Sequence, residues 1–369
     1  MSLAVVAGGA DGALRVWSVP AGGGGGGGEG AGTPAPVQAP AALARGHSAA
    51  CLCVAAEPGE GGLVASGGAD DEVRLWRWSS AGLAALGALG RHEGSVRALA
   101  FGCGPSAGLL ASAGEDGRVL LWRFGALLAG VPAASAPGAT PALAPGSAPQ
   151  GTPQGAASPQ GMAGMASPQA LVSPQAAAGQ RPAPMLCVAF AGDGARVCAS
   201  GEDLILRLWS VPDGALLASW GVGESAVFGG CALLDGGGGG VLTAHRDGWL
   251  RLWSENGPGA LAGEARASRQ LLESLAVAPA GAALAATGAD DGAVCLWRTP
   301  SLERVARLTG HAKWVLGVAF PPAHSWAHGR LLASASHDGT VRLWPLPATS
   351  AQDARVLSAG SPLHCVALL

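Results

Sequence analysis

Residues Gly310 to Trp344 read GHAKWVLGVAFPPAHSWAHGRLLASASHDGTVRLW, three strand-like runs in succession. Val315, Val318 and Phe320 mark the first, Leu331 to Ala335 the second, and Thr340 to Trp344 the third. Between the last two lies His337-Asp338-Gly339, and an Asp-Gly pair between apolar runs is the strongest short-range hairpin signal. Asp338 stands six residues before Trp344 and four after Ser334.

That spacing recurs. Trp17, Trp76, Trp122, Trp209, Trp253 and Trp297 each follow an aspartate by six residues: Asp11, Asp70, Asp116, Asp203, Asp247 and Asp291. With Asp338 and Trp344 there are seven units. Where the chain is uninterrupted the period is roughly 44–47 residues, the interval of a four-stranded propeller blade. The fold predicted is all-β: one seven-bladed β-propeller of four-stranded antiparallel blades.

With Gly46-His47, Arg91-His92 and Gly310-His311 opening repeats, the aspartate turns and the strand-final tryptophans, the chain resembles the WD-repeat (WD40) family. In one respect it departs from that family's pattern: Ser18, Arg77, Arg123, Ser210, Ser254, Arg298 and Pro345 follow the tryptophans, never Asp. The resemblance implies a structural tetrad in three repeats: His47, Ser66, Asp70 and Trp76; His92, Ser112, Asp116 and Trp122; His311, Ser334, Asp338 and Trp344. A buried imidazole needs partners for both nitrogens, which Asp and Ser supply while the indole N–H donates. Three copies argue for scaffold rather than a Ser-His-Asp catalytic set, since an enzyme needs one. The four repeats without this histidine are expected to rely more on packing.

Composition sets further bounds. Of 369 residues only 13% are charged and the net charge is −3, which gives no pull toward nucleic acid or an anionic membrane. Eight cysteines show no C-x2-C spacing, and reduced buried thiols account for them, so cytosol or nucleus is expected. No apolar run reaches the length of a membrane span and no cleavable leader is recognised. His324 and His328 alone do not define a zinc site, and no phosphate loop is present, so neither cofactor nor metal is expected.

Residues 3–17 supply only the middle strands of a blade, and Leu363, Val366 and Leu368 repeat the 315/318/320 spacing. The C-terminal strand is therefore expected to pair with the N-terminal blade and close the ring. A Gly/Pro-rich loop occupies 21–40. From Phe124 to Gln180 no charged residue occurs. Gly125 to Ala129 reads as the outer strand of blade three, and 131–182, with its x-Pro-Gln repeats and Ser-Pro and Thr-Pro pairs, as a disordered insertion before blade four. The turn of repeat four looks one residue short. Arg355 to Leu357 reads as the outer strand of blade seven.

In the resembled family the aspartate turns and the loops before each first strand crowd one face around the central channel, the usual docking surface. Carried over, the residues before the turn aspartates are Ala10, Ala69, Glu115, Glu202, Arg246, Asp290 and His337. Those ahead of the first strands are Pro362, Ala50, Ser95, Pro184, Val227, Leu271 and Trp314. Blades one and two offer only small residues. The partner-binding candidates are Glu115, Glu202, Arg246, Leu271, Asp290, His337 and Trp314, with Trp314 and Arg246 as anchors because Trp and Arg dominate interface energies. Trp78, Trp220 and Trp249 are expected to fill between blades.

The function these features imply is a non-catalytic protein-interaction scaffold, a single propeller within a multiprotein complex. One alternative is a substrate receptor of a ubiquitin ligase, although the Trp-Asp-x-Arg sequence of cullin adaptors is absent. Another is a scaffold subunit of an RNA-surveillance or transcription complex, since Leu308 to Phe320 and Val73 to Trp78 look locally like the WD-repeat subunits of such assemblies. An enzyme would have to draw on Glu115, Glu202 and Asp290.

Overall fold

A computed structural model describes residues 2–20, 39–59, 61–125, 168–171, 182–211, 213–234, 239–254, 259–279, 283–325, 327–346 and 354–369. Seven four-stranded antiparallel sheets form a ring. Blade one pairs β28 (Leu363–Leu368), β1 (Ser2–Gly9), β2 (Ala13–Pro20) and β3 (Ala42–Arg45), in that order from the channel outward. Blade two contains β4 (Cys51–Ala56), β5 (Leu63–Gly68), β6 (Glu72–Ser79) and β7 (Gly82–Arg91). Blade three contains β8 (Val96–Phe101), β9 (Leu109–Gly114), β10 (Val119–Arg123) and β11 (Gln169–Leu171). Blade four runs from β12 (Met185–Phe190) through β13 (Arg196–Gly201) and β14 (Ile205–Ser210) to β15 (Leu216–Gly221). Blade five runs from β16 (Val227–Leu234) through β17 (Gly240–His245) and β18 (Trp249–Ser254) to β19 (Leu261–Arg266). Blade six has β20 (Leu272–Val277), β21 (Leu284–Ala289), β22 (Val294–Arg298) and β23 (Glu303–Leu308). Blade seven has β24 (Val315–Ala319), β25 (Leu331–Ser336), β26 (Thr340–Pro345) and β27 (Arg355–Ser358).

The second strand of every blade is an almost unbroken apolar run such as LVASGG, buried on both faces, while outer strands alternate or lie open. Each strand-final tryptophan packs against the preceding blade. Trp344 joins Val294 and Leu296 of blade six, Trp76 joins Leu14 and Val16 of blade one, and Trp17 joins Ala333 and Val341 of blade seven. Seven such inter-blade cores hold the ring. Burying one indole is worth roughly 4–6 kcal/mol of transfer free energy, an upper figure because unfolded chains are already partly compact. Closure follows from β1 pairing with β28, Val5 opposite Leu368 and Gly8 opposite Cys365.

Three expectations need correction. The outer strand of blade three is Gln169–Leu171, with Leu171 opposite Val119, rather than Gly125 to Ala129. Phe124 packs edge-on to Phe101 in the core that blades two and three share, and residues 126–129 lie outside the described residues. The x-Pro-Gln unit at 167–169 thus ends in a strand, while the other x-Pro-Gln units and nearly all of 21–40 and 131–182 lie outside the described residues. The turn of blade four has normal length: Leu204 (φ 61°) stands where Gly339 (φ 81°) stands in blade seven, so Ala199, not Ser200, corresponds to Ser334. Val227 begins β16 and is buried, leaving Ala226 as the residue ahead of the strand.

Candidate functional site

One feature is repeated in all seven innermost strands. The register slips by at least one residue at the start of each, between Cys51 and Cys53, Val96 and Ala98, Met185 and Cys187, Val227 and Gly230, Leu272 and Ser274, Val315 and Gly317, and opposite Gly8/Gly9 in β28. A bulge leaves one residue out of the ladder and re-aims its side chain. The residues set free are Leu52, Arg97, Leu186, Phe228, Glu273, Leu316 and His364, and all seven line one cavity of about 200 Å³ in the channel.

The turn residues sit around this bulge ring. In each blade the N–H of the residue before the turn aspartate donates to the carbonyl of the residue ahead of the inner strand: Ala10 to Pro362, Ala69 to Ala50, Glu115 to Ser95, Glu202 to Pro184, Arg246 to Ala226, Asp290 to Leu271 and His337 to Trp314, at 2.8–3.1 Å. Seven equivalent hydrogen bonds therefore fix fourteen residues about one opening. Glu115, Glu202, Arg246 and Trp314 are exposed; Leu271, Asp290 and His337 are half-buried.

Their side chains form three groups. The guanidinium carbons of Arg97 and Arg246 lie 5.8 and 5.3 Å from the Phe228 ring centroid, and Arg97 approaches Glu115 at 3.8 Å. In blade six Glu273 hydrogen-bonds Asp290; burial, reinforced by the Asp290 charge, pushes Glu273 up to about 7. Burial raises Asp290 as well. In blades seven and one the Trp314 and His337 rings are 5.3 Å apart and those of His337 and His364 6.3 Å. Burial, with His337 and Arg97 nearby, lowers the pKa of His364. Trp314 and Arg246 belong to blades seven and five, with Leu271, Glu273 and Asp290 of blade six between them.

Each of the three histidine tetrads is assembled around one hydroxyl. Ser66 Oγ lies 2.8 Å from His47 Nε2 and accepts from Trp76 Nε1 at 2.8 Å, while His47 Nδ1 is 2.8 Å from Asp70. Ser112 links His92 and Trp122 in the same way at 2.7 and 2.8 Å, with His92 Nδ1 3.0 Å from Asp116. Ser334 links His311 and Trp344 at 2.7 and 2.9 Å, with His311 Nδ1 3.0 Å from Asp338. Burial works to raise the Asp338 pKa, but hydrogen bonds from His311, Thr340 and the Ala312 N–H outweigh it and hold it well below the usual range.

Packing is not left to do the work alone in the remaining blades. Arginines four residues on grip the turn aspartates, Arg15 on Asp11 at 2.7 Å, Arg207 on Asp203 at 2.5 Å and Arg251 on Asp247 at 2.7 Å. In blade six Ser268 and Arg307 hold Asp291 at 2.9 and 3.0 Å. Threonines replace serine under Trp253 and Trp297, at 2.8 and 3.0 Å. Blade five also has an imidazole from an unexpected position: His245, at the end of β17, lies 2.8 Å from Thr243 Oγ1 and 2.8 Å from the Ser225 carbonyl. Burial lowers its pKa to about 4.

Comparison with known proteins places these features. The profile described as WD domain, G-beta repeat, matches residues 40–77, 85–123 and 302–345, the units that carry the histidine tetrads. The chain is a seven-bladed β-propeller with WD repeats at these three positions. It is 36% identical over 86 residues to WD repeat-containing protein 41 of Mus musculus, covering 23% of this chain and 18% of that protein. To the WD repeat-containing protein 26 homolog of Drosophila melanogaster it is 42% identical over 59 residues, 16% and 9% of the two chains. To nuclear distribution protein nudF 2 of Penicillium rubens it is 40% identical over 65 residues, 18% and 13%. The matched stretches thus span less than a fifth of each relative's length. WD-repeat propellers are in general non-catalytic platforms that bind other proteins. Among the described residues no three His, Cys, Asp or Glu side chains are grouped to hold a metal ion, and no helix is long and apolar enough to cross a membrane. None of the eight cysteines forms a disulfide, and seven of them are buried.

The bulge ring escaped the sequence reading. Its seven residues stand second in their strands but share no chemistry, so no residue pattern marks them.

Proposed function

We propose that this WD-repeat propeller is a protein-interaction scaffold that enters a multiprotein complex as a single copy and holds its partners on the channel-mouth face. The observation that carries this is the unevenness of the mouth. Blades three and five to seven place Arg97, Phe228, Arg246, Glu273, Asp290 and Trp314 there, whereas blades one and two contribute, apart from His364, only Ala10, Ala50, Leu52, Ala69 and Pro362. A face that only capped the channel has no need of an exposed indole and two stacked guanidinium groups. Partners are proteins rather than nucleic acid, in keeping with the net charge of −3. Free thiols buried between blades suit the reducing conditions of cytosol or nucleus.

The test is affinity capture from cell extract with wild type and a Trp314→Ala/Arg246→Ala variant that melts normally. Loss of the principal captured proteins is expected, since a well-packed tryptophan anchor contributes about 2–4 kcal/mol. An unchanged captured set contradicts the proposal.

A further inference from the structure

Of the eight cysteines, Cys53, Cys187, Cys231 and Cys365 line the channel cavity of about 200 Å³. Cys231 also lines a larger cavity of about 440 Å³ at the far ends of the inner strands. It therefore stands on the channel wall where the two cavities adjoin. Behind it, on β13 of blade four, Cys198 is fully buried. The two sulfurs lie 3.5 Å apart across the seam between blades four and five, with Cys198 Sγ donating. Cys231 Sγ is also 3.8 Å from the Cys198 carbonyl oxygen, and Cys187 of β12 hydrogen-bonds Cys231 as well.

The repeat shows that small apolar packing does not require this pair. By strand register, the position of Cys231 is held in the other blades by valine or leucine, as by Val318 opposite Ser334. The position of Cys198, opposite the residue before the strand-final tryptophan, is held elsewhere by alanine, valine or leucine, as by Ala333 opposite Leu343. At the seam between blades six and seven the equivalent residues are Ala286 and Val318, in one shared core. Blades one and two bring Val6 and Val54 together in the same way, and blades two and three Ala65 and Leu99. Only the seam between blades four and five departs from this pattern, and it departs on both sides at once. Two thiols meet where the other seams place two hydrocarbons.

We propose that Cys198 and Cys231 are an oxidisable pair that links blades four and five covalently when hydrogen peroxide enters the channel. One peroxide oxygen is transferred to the Cys231 sulfur, giving a sulfenic acid and a first water. The Cys198 sulfur then attacks that sulfur, the S–S bond forms, and the second water leaves. In all, two thiols give up two electrons and two protons, and one peroxide becomes two waters. Closing 3.5 Å to a disulfide bond of about 2.05 Å moves the sulfurs by about 1.5 Å, within the reach of side-chain rotation. Hydrogen bonds with Cys187 and Cys198, reinforced by burial, push the Cys231 thiol well above its usual range. Thiolate is scarce there, so the pair answers sustained rather than brief oxidation. The bridge does not depend on where partners dock.

The test treats the reduced full-length chain with hydrogen peroxide in native buffer, blocks the remaining thiols with N-ethylmaleimide and maps peptides without reduction. A Cys198–Cys231 link that dithiothreitol reverses is expected. Oxidation of the chain unfolded in guanidinium is expected to lose the preference for this pair. Cys198→Ala should abolish the link at Cys231 that joins these two peptides, and Cys187→Ala should keep it. Oxidised wild type should melt above the reduced chain, because the bridge ties residues 33 apart in the unfolded state. If Cys198→Ala melts early, the wild-type map decides by itself. Oxidation of the half-buried Cys103 with no Cys198–Cys231 link, a link formed only from the unfolded chain, or a link without a rise in melting temperature overturns the proposal.

Discussion

Ser334 Oγ connects three side chains through one atom. The Asp338 carboxylate only accepts, so His311 Nδ1 donates to it and Nε2 is left to accept from the serine hydroxyl, which in turn accepts from Trp344 Nε1. Ser334→Ala removes one hydroxyl and strands two buried nitrogens, so a loss of about 2–4 kcal/mol is expected in denaturant titration. An unchanged midpoint would mean that the relay is incidental. His245 makes a different prediction, because its burial lowers the pKa from 6.5 to about 4. The folded state keeps it neutral while the unfolded chain takes up a proton below pH 6.5. Stability from this site is therefore complete at neutral pH and is lost as pH falls from about 6.5 toward 4, by about 2 kcal/mol at pH 5. Unfolding free energy measured against pH should show that slope in wild type and lose it in His245→Gln; parallel curves would contradict the assignment.

At the level of strands, the inner three of each blade were legible because an aspartate turn, a strand-final tryptophan and an apolar second strand each leave a mark on the sequence. Ser334, Asp338 and Trp344 are such marks. Outer strands bury one face at most, and Gln169–Leu171 is three residues in an Ala/Pro/Gln-rich tract, so composition concealed it. Gly125 to Ala129 resembled an outer strand only through its likeness to Gly214 to Ala218. Leu171 is nonetheless 2% exposed within the core that blades three and four share. Leu171→Ala should cost about 2–4 kcal/mol in thermal or chemical unfolding, and a loss below about 0.5 kcal/mol would remove this strand from the sheet. The bulge ring was hidden for another reason. Leu52, Arg97, Leu186, Phe228, Glu273, Leu316 and His364 share a position but no chemistry, so no residue type recurs to announce the ring.

On the scale of the ring, β28 is the strand on which closure depends. Removing residues 361–369 would expose the inner edge of β1 and withdraw Leu363, Val366 and Leu368 from the core that joins blades seven and one. The truncated chain should melt far below the full one or fail to fold, and equal melting temperatures would contradict closure by this strand. The closed ring holds the mouth as one rigid opening whose chemistry changes from blade to blade. Hydrogen exchange on the propeller bound to a captured partner, compared with the free chain, tests that most directly. Added protection is expected at the turns and inner-strand starts of blades five to seven, around Arg246, Leu271–Glu273, Asp290 and Trp314. Protection confined to the outer strands, or to the second cavity, lined by Phe101, Phe190 and Phe320 at the far ends of their inner strands, would contradict it.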